Sequence, residues 1–296
     1  MTTGQGTLPR QTRFTDGARF RIEIPSCEGP DVFKAVLSEA AEHDIRIDRI
    51  SQGSGIMMLT DTEIREMVRL GAEHHIEVNL FLGPRGGWDI GAQAATTGSA
   101  AGVARGSQAV EACVAEAGRA VGLGIRSLLV ADLGVLSVLG ELKAAGELPA
   151  ELALKTSVLL PLPNASTGAV YERLGATSLN ASTDLTTAQL AQLRTACTAA
   201  LDVYVEVPDD QGGFVRYYDV PEIVREAAPV HLKLGVRNAP NLYPCGRHLL
   251  ALATDLGRER VRRAALMLRL LTELAPELAE RPDPVTPPAD LAVPAP

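Results

Sequence analysis

No two of the four cysteines stand close enough in the sequence to form a motif. Cys27, Cys113, Cys197 and Cys245 make no CxxC or CxxxC pair, so neither a disulfide framework nor a zinc or iron-sulfur signature is legible. Reduced, structural thiols are the expectation. Positive charge is also in short supply: Lys and Arg total 28 against 36 Asp and Glu, a formal net charge of -8. With no basic run and no basic patch interleaved with aromatics, nucleic acid is not an expected partner. Long apolar runs are missing too. No stretch reaches the ~20 residues of a membrane span, and the N-terminal residues lack the apolar centre of a secretory signal. The expectation is a cytoplasmic protein without a membrane partner, with a homo-oligomer left open. Short catalytic signatures are absent as well: there is no HExxH and no GxSxG. The five histidines, His43, His74, His75, His231 and His248, include no metal pair spaced on a helix.

What the chain does have is alternation of two periodicities. Strand-like runs fall at 20–25, 45–51, 76–82, 125–131, 152–159, 176–180, 201–207 and 230–234. Helical patterns follow each one, at 30–43, from Thr60, from about Gln108, and at 135–145, 166–174, 186–195, 221–227 and 248–280. Thr60 with Glu63 makes a capping box, Asp184 or Thr186 caps the sixth helix, and Gly175 ends the fifth. The last helix carries candidate breaks at Gly257 and Pro276. A Gly/Ala/Ser-rich connection at 83–105 is long enough to suggest a lid or binding loop. Eight βα units over this length predict an α/β fold, a (β/α)8 TIM barrel spanning 20–280, with a doubly wound open parallel sheet as the alternative. Residues 1–19 and the Pro-rich segment 281–296 are expected to be disordered tails.

Four of the strand-like runs carry a charge where a buried strand should be apolar: Glu23, Lys155, Glu206 and Lys233. Each sits opposite a stripe of Ile, Leu or Val, so in a barrel the stripe meets the outer helices and the charge meets the axis. Asn79 and Tyr204 share that parity, as does His231 lower down. A charge in a barrel interior costs several kcal/mol unless it is paired and hydrogen-bonded. The four could neutralise one another as a structural network. They could equally be catalytic groups, because Glu206 and Lys233 lie near the C-terminal ends of their strands, where barrel enzymes hold their chemistry.

More polar residues gather at that same end. Ser26 and Glu28 follow the first strand, Ser51, Gln52 and Ser54 the second, and Arg85, Trp88 and Asp89 the third. Asp132 ends the fourth, Asn180 the sixth, and Asp209 and Asp210 follow the seventh. Arg237, Asn238, Tyr243 and His248 follow the eighth, with Arg237 and Gly246 placed for an anion site. Turn chemistry accounts for many of these individually. Together they nominate Arg85, Asp132, Asn180, Arg237, Asn238, Tyr243 and Gln52 as substrate-binding residues beside Lys155, Glu206, Lys233 and Glu23 as catalytic ones.

Three segments resemble the peptidase U32, collagenase-like family: Glu-Ile-Pro-Ser-Cys-Glu-Gly-Pro at 23–30, Ser-Gln-Gly-Ser-Gly-Ile-Met-Met-Leu-Thr-Asp at 51–61, and Lys-Leu-Gly-Val-Arg-Asn-Ala-Pro-Asn-Leu-Tyr-Pro at 233–244. The resemblance runs from about Phe20 to His248. It implies a barrel and a nominal proteolytic activity, in a bacterial branch. Relatives of that family that hold an iron-sulfur cluster do so on clustered cysteines and a His-Gly-x-x-Cys stretch, which this chain lacks, so no cluster is expected.

The residues themselves point to several chemistries. A lysine-dependent lyase, aldolase or isomerase would use a lysine such as Lys155 for an imine and Glu206 or Glu23 for proton movement. A divalent cation on Glu23, Asp132, Glu206 and Asn180 is a second option. A thiol peptidase centred on Cys27, near His248 or Cys245, is a third. A fourth is a non-catalytic barrel that holds a small anionic or peptide-like molecule.

Overall fold

A computed structural model describes residues 12–88, 100–282 and 284–296. Its strands are β1 (Phe20–Pro25), β2 (Arg49–Gln52), β3 (Glu77–Phe81), β4 (Ser127–Val130), β5 (Ala153–Thr156), β6 (Ser178–Asn180), β7 (Ala200–Glu206) and β8 (Val230–Leu234). They are all parallel and pair in sequence order, with β8 returning to β1. The (β/α)8 barrel expectation therefore holds. The open-sheet alternative fails because β1 pairs with both β2 and β8, which leaves no edge.

Helices follow the strands as α1 (Pro30–Glu42), α2 (Asp61–His74), α3 (Gly106–Gly122), α4 (Leu133–Ala144), α5 (Ala165–Arg173), α6 (Thr187–Ala196), α7 (Val220–Ala227), α8 (Leu250–Leu274) and α9 (Pro276–Ala279). Their starts follow from local chemistry. Thr60 and Glu63 close the capping box of α2, and Thr186 rather than Asp184 does so for α6, with Gln189 returning the bond. The core is the shell between strands and helices: Ile22 and Ile24 from β1, Val78 and Leu80 from β3, and Leu232 and Leu234 from β8 meet residues such as Val32, Phe33 and Val36 of α1. Each such side chain contributes ~1.5–3 kcal/mol when taken out of water.

Two boundaries differ from expectation. The last helix is not broken at Gly257. That glycine sits where α8 crosses α1, and a Cβ there would lie 3.0 Å from Val32 Cγ1, so it serves close packing. The break comes at Ala275, ahead of Pro276. The second difference is the tail from 281, expected to be disordered from its prolines. It crosses the N-terminal end of the barrel: Arg281 pairs with Asp48, Asp290 accepts from Thr15 N at 2.9 Å and Arg21 Nη2 at 2.7 Å, Leu291 is buried, and Ala295 N donates to Gly124 O at 2.9 Å. Prolines here stiffen a strap whose partners lie far away in sequence. Phe14, from the N-terminal segment, is buried at the same end against Arg21 and His231. Among the described residues, no helix is long and apolar enough to cross a membrane.

Candidate functional site

Strand alternation decides which side chains enter the barrel. Arg21 and Glu23 of β1 enter with Arg49 and Ser51 of β2, Glu77 and Asn79 of β3, and Ser127 of β4. Lys155 comes from β5, Ser178 and Asn180 from β6, Asp202 and Tyr204 from β7, and His231 and Lys233 from β8. Branched apolar side chains usually fill this space. Here it is filled by ion pairs.

The centre of the network is Glu23. Its Oε2 accepts from Lys155 Nζ and lies 3.3 Å from Arg49 Nη1, while its Oε1 accepts from Ser51 Oγ at 2.6 Å and lies 3.5 Å from Lys233 Nζ. Arg49 also reaches Asp202 Oδ1 at 2.8 Å and, through Nε, Glu77 Oε1 at 2.8 Å. Asp202 Oδ2 lies 3.5 Å from Lys155, and its Oδ1 lies 3.1 Å from His231 Nδ1. The cations Arg49, Lys155 and Lys233 thus face the carboxylates Glu23, Glu77 and Asp202 in balance. Ser127 donates to Glu77 Oε1 at 2.6 Å and Ser178 to Asp202 Oδ2 at 2.8 Å, which adds hydrogen bonds to two of the buried carboxylates.

Burial and charge pull these groups in opposite directions. Burial alone would raise the Glu23 carboxyl, but the Lys155 and Lys233 ammoniums outweigh it and hold the group well below the usual range. Asp202 behaves alike, with Lys155 and Arg49 overcoming burial. For Lys155 burial wins over the two carboxylates, and its ammonium is pushed down to about 8. His231 is lowered by burial and then by Arg49.

Above this network, at the C-terminal end, lies a cavity of about 340 Å³. Lys233 and Ser51 reach it from below, together with the ring of Tyr204, over which Lys233 Nζ sits at 4.2 Å. Lys233 also donates to Asn180 Oδ1 at 2.6 Å. An apolar patch of Phe81, Leu129 and Leu159 forms one side. Strand β5 stops at Thr156, so Ser157, Val158 and Leu159 turn into the cavity wall. On the rim Arg85 lies over the Phe81 ring at 3.9 Å, and the Trp88 and Tyr243 rings are 5.0 and 5.1 Å from it. Burial lowers the Arg85 pKa. Tyr243 is fixed by a 2.5 Å hydrogen bond with Ser26 Oγ and by Gly53, where a Cβ would lie 2.5 Å from the Tyr243 ring. Gln52 lines the cavity while its amide closes a loop on Gly55 N and O, both at 3.1 Å.

Of the expected site residues, then, Lys233, Arg85, Gln52 and Tyr243 line the cavity, and Asn180 holds Lys233. Lys155 and Glu23 lie beneath it, among buried ion pairs. Glu206 is elsewhere. A bulge between Tyr204 and Glu206 changes its facing, so that it pairs with the outward Leu234 rather than following Tyr204 inward. Glu206 accepts from Tyr217 Oη at 2.5 Å and Arg237 N at 2.9 Å, with Arg263 of α8 at 3.5 Å. Asp132 is the N-cap of α4, taking Val135 N at 2.9 Å and Ala104 N at 3.1 Å. Arg237 and Asn238 are exposed and lean on Asp209. Asp89 lies outside the described residues.

Two expected chemistries lack support in the geometry or the electrostatics. The four oxygen donors Glu23, Asp132, Glu206 and Asn180 do not converge, and among the described residues no three His, Cys, Asp or Glu side chains are grouped to hold a metal ion. Cys27 is wholly buried, and burial followed by the neighbouring Glu28 carboxyl pushes its thiol up, away from the thiolate a nucleophile needs. Glu28 itself accepts from Gly53 N at 2.8 Å and Ser54 N at 2.9 Å, which orders the rim loop.

Sequence reasoning missed Arg49, Glu77 and Asp202. The signal was available in strand parity: each stands two residues before an inward residue, Ser51, Asn79 and Tyr204 respectively. Arg49 and Glu77 open their strands, where a charge is ordinary.

No family model matches the chain, and no curated protein matches it. Similar solved structures include a protein described as a lyase/mutase from Burkholderia cenocepacia, 13% identical over 88% of this chain and 86% of that one, with a TM-score of 0.47. A 3-deoxy-D-arabino-heptulosonate 7-phosphate synthase from Thermotoga maritima is 11% identical over 88% and 89%, with a TM-score of 0.47. A U32 peptidase is 13% identical over 70% and 72%, with a TM-score of 0.39. Similarity this distant carries no activity across, and the barrel assignment stands on the closed strand order itself.

Proposed function

We propose that this chain is an enzyme, a lysine-dependent lyase or isomerase that acts on a small anionic carbonyl compound in the cavity above Lys233. The observation that carries this reading is the position of Lys233, whose amine meets the cavity from below with Asn180, Glu23 and Tyr204 around it. Attack on a carbonyl carbon followed by loss of water would form an imine, which draws electrons from a neighbouring carbon and eases bond cleavage or proton loss there. Arg85 supplies a cation on the wall for a carboxylate or phosphate, and the Phe81–Leu129 side takes an apolar part. The cavity volume lies in the range of small-molecule sites.

The sequence nominates Lys155 for the imine. It lies below the cavity lining, wrapped by Glu23 and Asp202, so Lys233 takes that role here. The peptidase U32 resemblance favours a peptide-like substrate instead, but the raised, buried Cys27 thiol weighs against a thiol route.

Borohydride trapping tests the reading. A panel of 2-oxo acids and aldehydes is reduced in the presence of the protein, and an adduct on the Lys233 peptide is expected for at least one member, absent from Lys233→Met. If no compound is trapped, while some stabilise the wild-type chain thermally but not Lys233→Met, the barrel binds without catalysing by this route.

A further inference from the structure

We propose that Asp210 is the catalytic base of this site, taking the proton from the substrate carbon next to the Lys233 imine. This role rests on Lys233 being the reactive amine. Imine chemistry needs a group that moves protons, and neither Glu206 nor Glu23 is placed for it. Glu206 faces outward to Tyr217 and Arg263. Glu23 lies beneath the cavity, where Lys155 and Lys233 outweigh burial and hold it well below the usual range, which makes it a weak base. Among the described residues that line the cavity, Asp210 is the only carboxylate. The phenols of Tyr204 and Tyr243 line it too, but burial raises both and keeps them protonated. Ser51 donates to Glu23, and Ser26 shares a hydrogen bond with Tyr243.

The bulge that turns Glu206 outward also starts the loop that brings Asp210 to the cavity. After it the chain folds back on β7 as a hairpin, with Val207 N donating to Phe214 O and Arg216 N to Val205 O, both at 2.9 Å. Gly212 and Gly213 close the tip at φ 120° and 61°, where other residues would be strained. The tip is pinned on both sides of Asp210. Asp209 accepts from Asn238 N in the loop after β8, and Gln211 O accepts from Thr183 Oγ1 in the loop after β6 at 2.8 Å. Asp210 itself meets the cavity from its mouth, with one side open to solvent. Partial burial there raises its carboxyl and the Asp209 charge adds to the rise, against its own backbone N–H and Arg85. A stronger base results.

The step balances within the site. The C–H bond next to the imine breaks, and its proton joins an Asp210 carboxylate oxygen. The bonding pair becomes a carbon–carbon double bond, while the π pair of the protonated imine settles on nitrogen. An enamine on Lys233 and a neutral Asp210 acid result. Because Asp210 is open to solvent, its proton exchanges with water before one is returned to carbon.

The test is hydrogen exchange in D2O, followed by NMR, on 2-oxo acids and aldehydes that carry hydrogen next to the carbonyl, with borohydride trapping on the same samples. In the wild type, a compound trapped on Lys233 should exchange those hydrogens faster than with Lys233→Met. Asp210→Asn should still be trapped on Lys233 but exchange about a hundredfold more slowly, the low end for loss of a general base. Asp210→Glu restores a carboxylate and should exchange faster than Asp210→Asn. Trapping on Lys233 with an unchanged exchange rate in Asp210→Asn overturns the proposal and leaves the site reading intact. Loss of the adduct together with the exchange in Asp210→Asn also overturns it, since Asp210 would then act in binding. Equal rates in Asp210→Glu and Asp210→Asn count against it as well, because the loop's shape and not a base would be at issue. If no compound is trapped on Lys233 of the wild type, the site reading fails and the proposal fails with it.

Discussion

Glu23 and Lys155 form an ion pair across the barrel interior, from β1 to β5, with both side chains wholly removed from water. The pair is the hinge of the whole interior network, because Glu23 also meets Arg49, Ser51 and Lys233, and Lys155 also meets Asp202. Isolated charges there would each cost several kcal/mol. Their balance is what makes a polar barrel interior tolerable.

Removing one partner should therefore be expensive. Glu23→Gln keeps the volume but leaves Lys155 and Lys233 without their shared charge, and a loss of about 3–5 kcal/mol is expected from breaking a buried pair. Urea unfolding of the variant against wild type measures it. A loss below about 1 kcal/mol, typical of exposed pairs, would mean that water reaches this layer.

The contribution of Lys155 to stability should rise with pH on the alkaline side. Lys155 has a folded value of about 8 against an ordinary 10.5, so between them the unfolded chain binds more protons and the folded state gains as pH increases. Tyr204, pushed up by burial from its ordinary 10.0, opposes this at higher pH. The buried thiols of Cys27, Cys113, Cys197 and Cys245, raised from their ordinary 9.0, oppose it too, so the quantity to follow is the urea midpoint of wild type relative to Lys155→Met, which should climb from about pH 8 toward pH 10. On the acid side Glu23 and Asp202 are both depressed, so their contribution is complete above their ordinary values of 4.5 and 3.8 and is lost as pH falls below them. A difference between wild type and Lys155→Met that stays flat across the alkaline window would contradict the burial of a charged Lys155.

Trp88 should report on the cavity. It is the chain's one tryptophan and lines the site next to Arg85. Any small anion that stabilises the protein thermally should also change its fluorescence. Arg85→Ala should weaken that binding by about tenfold or more, since a charge-assisted contact contributes roughly 1.5–3 kcal/mol. An unaltered affinity in Arg85→Ala would remove Arg85 from the ligand contacts.

The strap at the other end should matter for stability. Asp290 pairs with Arg21, whose side chain is fully buried, and Asp16 lies 3.4 Å from the same guanidinium. Asp290→Ala should cost about 1.5–3 kcal/mol, the range for a hydrogen bond to a charged group. Calorimetry or urea unfolding gives the value. Ligand binding at the distant cavity should be unchanged, which separates this effect from damage to the site.

Much of the barrel was legible because periodicity is local. Residues such as Ile22 and Ile24 alternate with Glu23 whatever the rest of the chain does, so strand parity and the order of βα units follow from short windows of sequence. That parity correctly assigned Glu23, Lys155 and Lys233 to the interior. It failed for Glu206, since a bulge of one residue reverses facing and leaves no mark in the composition of Val-Tyr-Val-Glu. Asp132 looked like a site residue for a related reason: a helix N-cap and a metal ligand ask for the same side chain.

The sequence by itself determined the alternation, the caps at Thr60 and Thr186, and which faces are apolar, since these depend on neighbours within one turn or two residues. Only the tertiary structure decided which charges meet. Glu23 and Lys155 are 132 residues apart, and Arg21 and Asp290 are 269 apart. Barrel closure sets those distances through strand register, and register is a property of pairs of strands. The division between Lys233 at the cavity and Lys155 beneath it, on which the chemistry turns, has the same origin.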